Sequence, residues 1–282
     1  MDYYNTEKVN EHITAIRSLT GEILYLIEGE EEAALIDTCL GVGQLKELVT
    51  ALTQKPLNVL LTHGHIDHAL GAPEFDRVYM NNKDVELYKA MSPLPERKGY
   101  MEAGLSPEIF SQIREEDFVP PMPEKEFLDL EDGMVLDLGG IHIVAVSYPG
   151  HTQGSMCFLI REEKILILGD ACNNSTFLFA PESSPVEEYR DTTVAVAEKT
   201  KGRYDRVFIS HQVMETGCDI LENMAALCGD IMERKTDDVP FEFMGMKACV
   251  AKKCNERFER LDGKCGNVIY SKERIWKEKK EV

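Results

Sequence analysis

No apolar run in this sequence comes near the roughly 18 to 20 residues that a helix needs to cross a bilayer. The N-terminus, Met1-Asp2-Tyr3-Tyr4-Asn5, lacks the charged-then-apolar order of a signal peptide, so a cytoplasmic protein independent of membranes is expected. Positive charge is scarce: 31 Lys and Arg stand against 50 Asp and Glu, a net charge of −19. A nucleic-acid partner is therefore not expected, because binding to phosphate draws its affinity from clustered Lys and Arg. The eight cysteines are scattered and include no Cys-x-x-Cys pair, which argues against a disulfide scaffold. Cys249, Cys254 and Cys265 lie nearer one another, but no fourth ligand for a zinc site is evident. No Gly-x-Ser-x-Gly elbow offers a serine nucleophile. No solenoid repeat and no low-complexity tract is present.

Histidine is also sparse, at seven in 282 residues, yet three of the seven fall within Thr62-His63-Gly64-His65-Ile66-Asp67-His68. This stretch follows the apolar run Leu57-Asn58-Val59-Leu60-Leu61, which reads as a buried strand ending where the histidines begin. A loop at a strand end can aim several imidazoles and a carboxylate into one cavity, and zinc takes this mixture of nitrogen and oxygen ligands. Ligand types recur after later strand-like runs. Residues 141–146 lead to Tyr148-Pro149-Gly150-His151, residues 164–168 to Gly169-Asp170, and residues 206–210 to His211. Any one of these alone reads as a hydrogen-bonded structural residue. Together they supply enough ligands for two metal ions.

In this pattern the sequence resembles the hydrolytic branch of the metallo-β-lactamase superfamily, with its His-x-His-x-Asp-His motif, over about residues 12–215. The resemblance implies that His63, His65 and His151 hold one metal ion. Asp67, His68 and His211 would hold the second, with Asp170 bridging the two. It also implies that Asp37, in Leu35-Ile36-Asp37-Thr38, supports the metal site from behind its ligands. Where the family usually has Gly after that Asp-Thr pair, this chain has Cys39. A di-iron redox branch of the same superfamily resembles it too, but typically puts a carboxylate where His65 stands, which favours hydrolysis. Zinc is the first expectation for both ions, with iron or manganese also acceptable to such a site.

The periodicity predicts an α/β chain in two strand-rich halves. Strands are expected at 13–16, 23–27, 33–36 and 77–80, then near 135 and at 141–146, 157–160 and 165–168. Helices are expected at 42–52, 83–91, 186–199 and 218–234. The resemblance implies a four-layer αββα sandwich. A core over 1–235 and a C-terminal extension over 236–282, packed on it, are expected, with a helix at 247–261 and a last strand at 267–270. The proline-rich stretch 92–126, with one helix expected at 107–115, reads as a lid-like insertion, a surface excursion or a homodimer contact. Tyr100 and Phe110 in it are candidate pocket residues. So is Asn173, which stands where related lactonases often carry Tyr.

The implied activity is cleavage of a small-molecule ester, lactone or thioester by a hydroxide bridging two divalent ions, with Asp67 and Asp170 as the catalytic carboxylates. Glyoxalase II-like thioesterases and lactonases share the same ligands, so the ligands do not separate them. The alternatives are a metal-dependent phosphodiesterase and a di-iron oxidoreductase.

Overall fold

The computed structural model describes residues 3–277. Contacts divide the chain into two compact units, one running through Ala145 and the other from Val146 onward.

The first unit is built on a seven-stranded sheet. β1 (Tyr4–Lys8), β2 (Ile13–Ser18), β3 (Ile23–Glu28) and β4 (Ala33–Ile36) form an antiparallel meander. α1 (Leu45–Leu52) then leads to β5 (Leu57–Leu60), which runs parallel to β4 with Ile36 opposite Leu60. The short α2 (Ile66–Ala69) precedes β6 (Val78–Met80), and β7 (Leu128–Asp129) closes the sheet order. β3 and β4 are near-continuous apolar runs because both of their faces are covered. Leu24, Leu26, Leu35, Val59 and Val78 from the sheet pack with Leu45 and Val49 of α1 in one core. α1 begins at Leu45, later than the expected 42, because Gly43 (φ +77) and Gln44 (φ +58) adopt left-handed backbone that a right-handed helix does not admit.

α3 (Val85–Met91) precedes the insertion, which carries α4 (Leu94–Gly104) and α5 (Pro107–Phe110). The helix expected at 107–115 is only its first turn. α4 lies in the proline-rich stretch, where no helix is expected before residue 107. Pro95 sits at the helix start, where its missing N–H costs nothing. β8 (Val135–Asp137) pairs with β9 (His142–Ser147), and Leu138 O accepts from the N–H groups of Glu31 (2.9 Å) and Glu32 (3.0 Å).

In the second unit β10 (Met156–Ile160) pairs antiparallel with β11 (Ile165–Ile167). β12 (Thr176–Leu178) and α6 (Val186–Thr200) follow. β13 (Arg206–Phe208) then lies parallel to β11, with β14 (Glu215–Thr216) beside it, and α7 (Ile220–Met232) packs along α6. β15 (Val239–Phe243), β16 (Met246–Val250) and β17 (Val268–Tyr270) join β12 in a four-stranded sheet of order β12-β17-β16-β15.

The helix expected at 247–261 is therefore absent. Its first residues form β16, paired with β15 through a Met244-Gly245 turn at φ +49 and +79, the twist that closes tight hairpins. Lys252, two residues past β16, pairs with Asp230 at 3.1 Å. Among the described residues no helix is long and apolar enough to cross a membrane.

Candidate metal centre

Parallel strands end on the same edge of a sheet, and that fact assembles the site. In the first unit β4 and β5 are parallel neighbours, so Asp37, one residue past β4, emerges beside Thr62, two residues past β5. The Thr62 backbone N–H donates to Asp37 Oδ1 at 2.7 Å, and the Thr62 hydroxyl lies 2.9 Å from both carboxylate oxygens. His68 Nδ1 donates to Asp37 Oδ2 at 2.8 Å. The three imidazoles of the motif crowd together, with the His63 ring 4.8 Å from that of His65 and 4.2 Å from that of His68. Gly64 permits the tight path between them. Its N–H donates to buried Asp84 at 3.0 Å, and a Cβ there would lie 2.7 Å from the Asp84 carbonyl oxygen.

The second unit repeats the device. β11 and β13 are parallel, with Ile167 opposite Phe208, so Asp170 and His211 leave the same edge. Asp170 Oδ2 lies 3.2 Å from His211 Nε2, and Asn173 Nδ2 donates to Asp170 Oδ1 at 3.2 Å. His151 follows β9, and its Nδ1 donates to the Phe177 carbonyl at 2.9 Å. β12, which carries Phe177, is an edge strand, so one side of its backbone is open to such a donor.

Each unit thus sets candidate ligands side by side: His63, His65, Asp67 and His68 in the first, where His68 Nε2 lies 3.7 Å from Asp67 Oδ2, and Asp170 against His211 in the second. The hydrogen bonds behind these side chains fit metal ligation. The Phe177 carbonyl can only accept, so His151 carries its proton on Nδ1 and, when neutral, a lone pair on Nε2. The Asp37 carboxylate also only accepts, which fixes His68 in the same way. Thr62 gives its hydroxyl proton to Asp37, so its oxygen accepts from His63 Nδ1 at 2.9 Å, and His63 too presents Nε2. Orienting ligand imidazoles by a carboxylate or carbonyl on the far nitrogen is how metal sites fix tautomer and ring direction.

The candidate pocket residues are placed differently from one another. Tyr100 donates its hydroxyl to Asp67 Oδ2 at 2.6 Å. Asn173 is buried and engaged with Asp170, Ser175 and Thr176. Phe110 packs against the core of the first unit. Cys39 keeps left-handed backbone, at φ +58, where the resembled family usually has Gly, and its thiol meets the buried Glu22 carboxylate at 3.3 Å. Burial pushes the Cys172 thiol up to about 12, so it is no ready nucleophile.

Three supporting residues had no signal in the sequence. Asp84 holds Gly64, and Arg97 of α4 holds the loop after β4. Tyr189 of α6 donates to the Ala171 carbonyl at 2.7 Å and covers Gly150, where a Cβ would lie 2.3 Å from the Tyr189 ring. Gly150→Ala is expected to destabilise the chain by about 1–3 kcal/mol through overpacking and to weaken metal binding at His151. Thermal melts with and without metal check this; an unchanged metal-dependent rise in Tm would show that the loop absorbs the methyl group.

Residues 24–211 match the family model described as the metallo-beta-lactamase superfamily. The human acyl-coenzyme A thioesterase MBLAC2 is 25% identical over 213 residues, covering 67% of this chain and 72% of that protein. The atrochrysone carboxyl ACP thioesterase dmxR1 of Cryptosporiopsis sp. is 29% identical over 157 residues, 54% of this chain and 39% of that one. Among solved structures, the inverting sec-alkylsulfatase Pisa1 from Pseudomonas sp. superposes with a TM-score of 0.62 at 17% identity, covering 82% of this chain and 42% of that one. The DIM-1 metallo-beta-lactamase gives 0.55 at 16%, covering 79% and 95%. These likenesses agree on one fold, a mixed α/β architecture of sheets and helices. The chain belongs to the metallo-β-lactamase superfamily and is a metal-dependent hydrolase.

Proposed function

We propose that this protein hydrolyses acyl thioesters, with water and thioester giving a carboxylic acid and a thiol. The observation that carries the reading is the crowding of His63, His65, Asp67 and His68 beyond β5 in the first unit, with Asp170 against His211 in the second. Two divalent ions, zinc first, would be held by His63, His65 and His151 and by Asp67, His68 and His211, with Asp170 shared. When bound, such ions polarise a carbonyl and make water acidic enough to act as a nucleophile near neutral pH. The residues do the rest. Asp37, Thr62 and the Phe177 carbonyl orient the imidazoles, and Asp67 and Asp170 offset the positive charge of the site. Cys39 and Cys172 are both buried, and burial raises both thiols, so neither supports a covalent acyl route.

Thioester is preferred to oxyester or lactone because the human and fungal relatives are both described as thioesterases. The net charge of −19 favours a small-molecule substrate over a nucleic acid.

The test is a panel of acyl-CoA and acyl-pantetheine thioesters, oxyesters, lactones, phosphodiesters and sulfate esters, run on metal-replete protein. Thioester kcat/KM is expected to exceed that of the matched oxyester at least tenfold. Elemental analysis is expected to find two ions per chain, and chelation to abolish turnover until metal is restored. Protein that holds two ions but acts faster on phosphodiesters or on oxygen would overturn the reading.

A further inference from the structure

The insertion helix α4 presents Arg97 and Tyr100 three residues apart, hence on one face. Each reaches a different segment behind the proposed metal ligands. Arg97 is buried, at 1% exposure, and donates to three carbonyls: Leu40 at 2.9 Å, Gly41 at 2.5 Å and Val119 at 2.6 Å. Its guanidinium also lies 5.2 Å from the centre of the Phe118 ring. Leu40 and Gly41 belong to the loop that starts with Asp37 and Thr38. That loop is tied to His68 by the Thr38 N–H (2.7 Å) and hydroxyl (3.0 Å), both donating to the His68 carbonyl. Tyr100, on the same face, closes the circuit by donating to Asp67 Oδ2 at 2.6 Å. Met101 beside it is fully buried in the core of the first unit, so the helix has little freedom to lift away.

We propose that Tyr100 is a positioning residue for Asp67, and that α4 braces the Asp67–His68 half of the metal centre through Tyr100 and Arg97 together. The inference rests on Asp67 being a ligand, as proposed above. A carboxylate on a one-turn helix such as α2 can rotate about its own side-chain bonds. A short hydrogen bond from a phenol on a second, anchored helix fixes one oxygen and so restricts that rotation before an ion arrives. Affinity for the ion then depends on α4, although α4 supplies no ligand. Losing a partner of this kind usually costs 10–100-fold in metal affinity.

Tyr100→Phe removes the hydroxyl and leaves the ring, so the apo protein is expected to melt as wild type does. Zinc titration of the apo chain against a chromogenic chelator is expected to show the weaker of the two Kd values raised 10–100-fold, with the tighter within threefold of wild type. At limiting zinc kcat falls, and saturating zinc restores it, with KM within twofold throughout. Arg97→Lys, which cannot reach three carbonyls at once, is expected to raise the same Kd. Both Kd values unchanged in Tyr100→Phe would overturn the proposal, and a raised KM alongside unchanged Kd values would give the phenol to the substrate instead. A wild-type chain that takes up no second ion would overturn both this proposal and the metal centre on which it rests, whereas failure on thioesters alone leaves the titration decisive.

Discussion

Asp37→Asn is expected to lower activity by roughly 10²–10⁴-fold while the chain still folds. A partner behind one ligand is typically worth 10–100-fold, and two ligand histidines depend on this carboxylate. Asp37 accepts from the Thr62 N–H, the Thr62 hydroxyl and His68 Nδ1, and through that hydroxyl it also sets His63. An asparagine fills the same space but has one oxygen where three donors converge. If that oxygen keeps the Thr62 N–H, the amide NH₂ faces His68 Nδ1. Two donors then meet, and the imidazole relieves the conflict by moving its proton to Nε2. The nitrogen proposed to hold the ion then carries a proton in place of a lone pair. Metal analysis and kcat/KM check this, with the apo melting temperature as control. Asp37→Ala differs in kind, because it leaves buried donors unsatisfied at about 1–3 kcal/mol each and is expected to lower stability as well. Full metal occupancy and near-normal turnover in Asp37→Asn would show that the carboxylate does not set the tautomers.

How much of this was legible in the sequence depends on whether the signal is local. His63, His65, Asp67 and His68 lie within one short segment, and few tasks besides metal binding call for those residue types together. His151, Asp170 and His211 each follow an apolar run, and a strand end is where a side chain is both fixed and accessible. The fold sets His63, His65, Asp67 and His68 together in the first unit and Asp170 beside His211 in the second. The parallel pairing of β4 with β5 and of β11 with β13, which does the gathering, is a long-range property that no local pattern records.

Residues that work through tertiary contacts were illegible for the same reason. Arg97 carries no local signal of its role, since arginine is seldom fully buried unless paired. Here three carbonyls replace the paired carboxylate. The misread hairpin has a different cause. Residues 247–261 contain no Gly or Pro, so nothing local forbids a helix there. The alternation of Val239, Phe241 and Phe243, followed by Gly245, was the available strand signal. It lost to a longer run without breakers.

Asp170→Ala carries the largest expected loss of metal, from two ions per chain to one or fewer, with turnover down by at least about a hundredfold. The carboxylate lies against His211 Nε2 at 3.2 Å and is held by Asn173 at 3.2 Å. If it is the shared ligand, its removal takes an anionic donor from both ions at once, where His211→Ala takes a neutral donor from one. Lewis-acid assistance from an ion is worth several kcal/mol, and each 1.36 kcal/mol is a factor of ten, which sets the scale of the loss. Folding is expected to survive, since Asp170 is only half-buried and its neighbours Gly169 and Ala171 keep their backbone positions. Asn173→Ala removes one hydrogen bond to the same carboxylate and is expected to fall between Asp170→Ala and wild type in both readouts. An order in which Asn173→Ala loses more metal than Asp170→Ala, or an Asp170→Ala protein that keeps both ions and its turnover, would remove Asp170 from the bridging position.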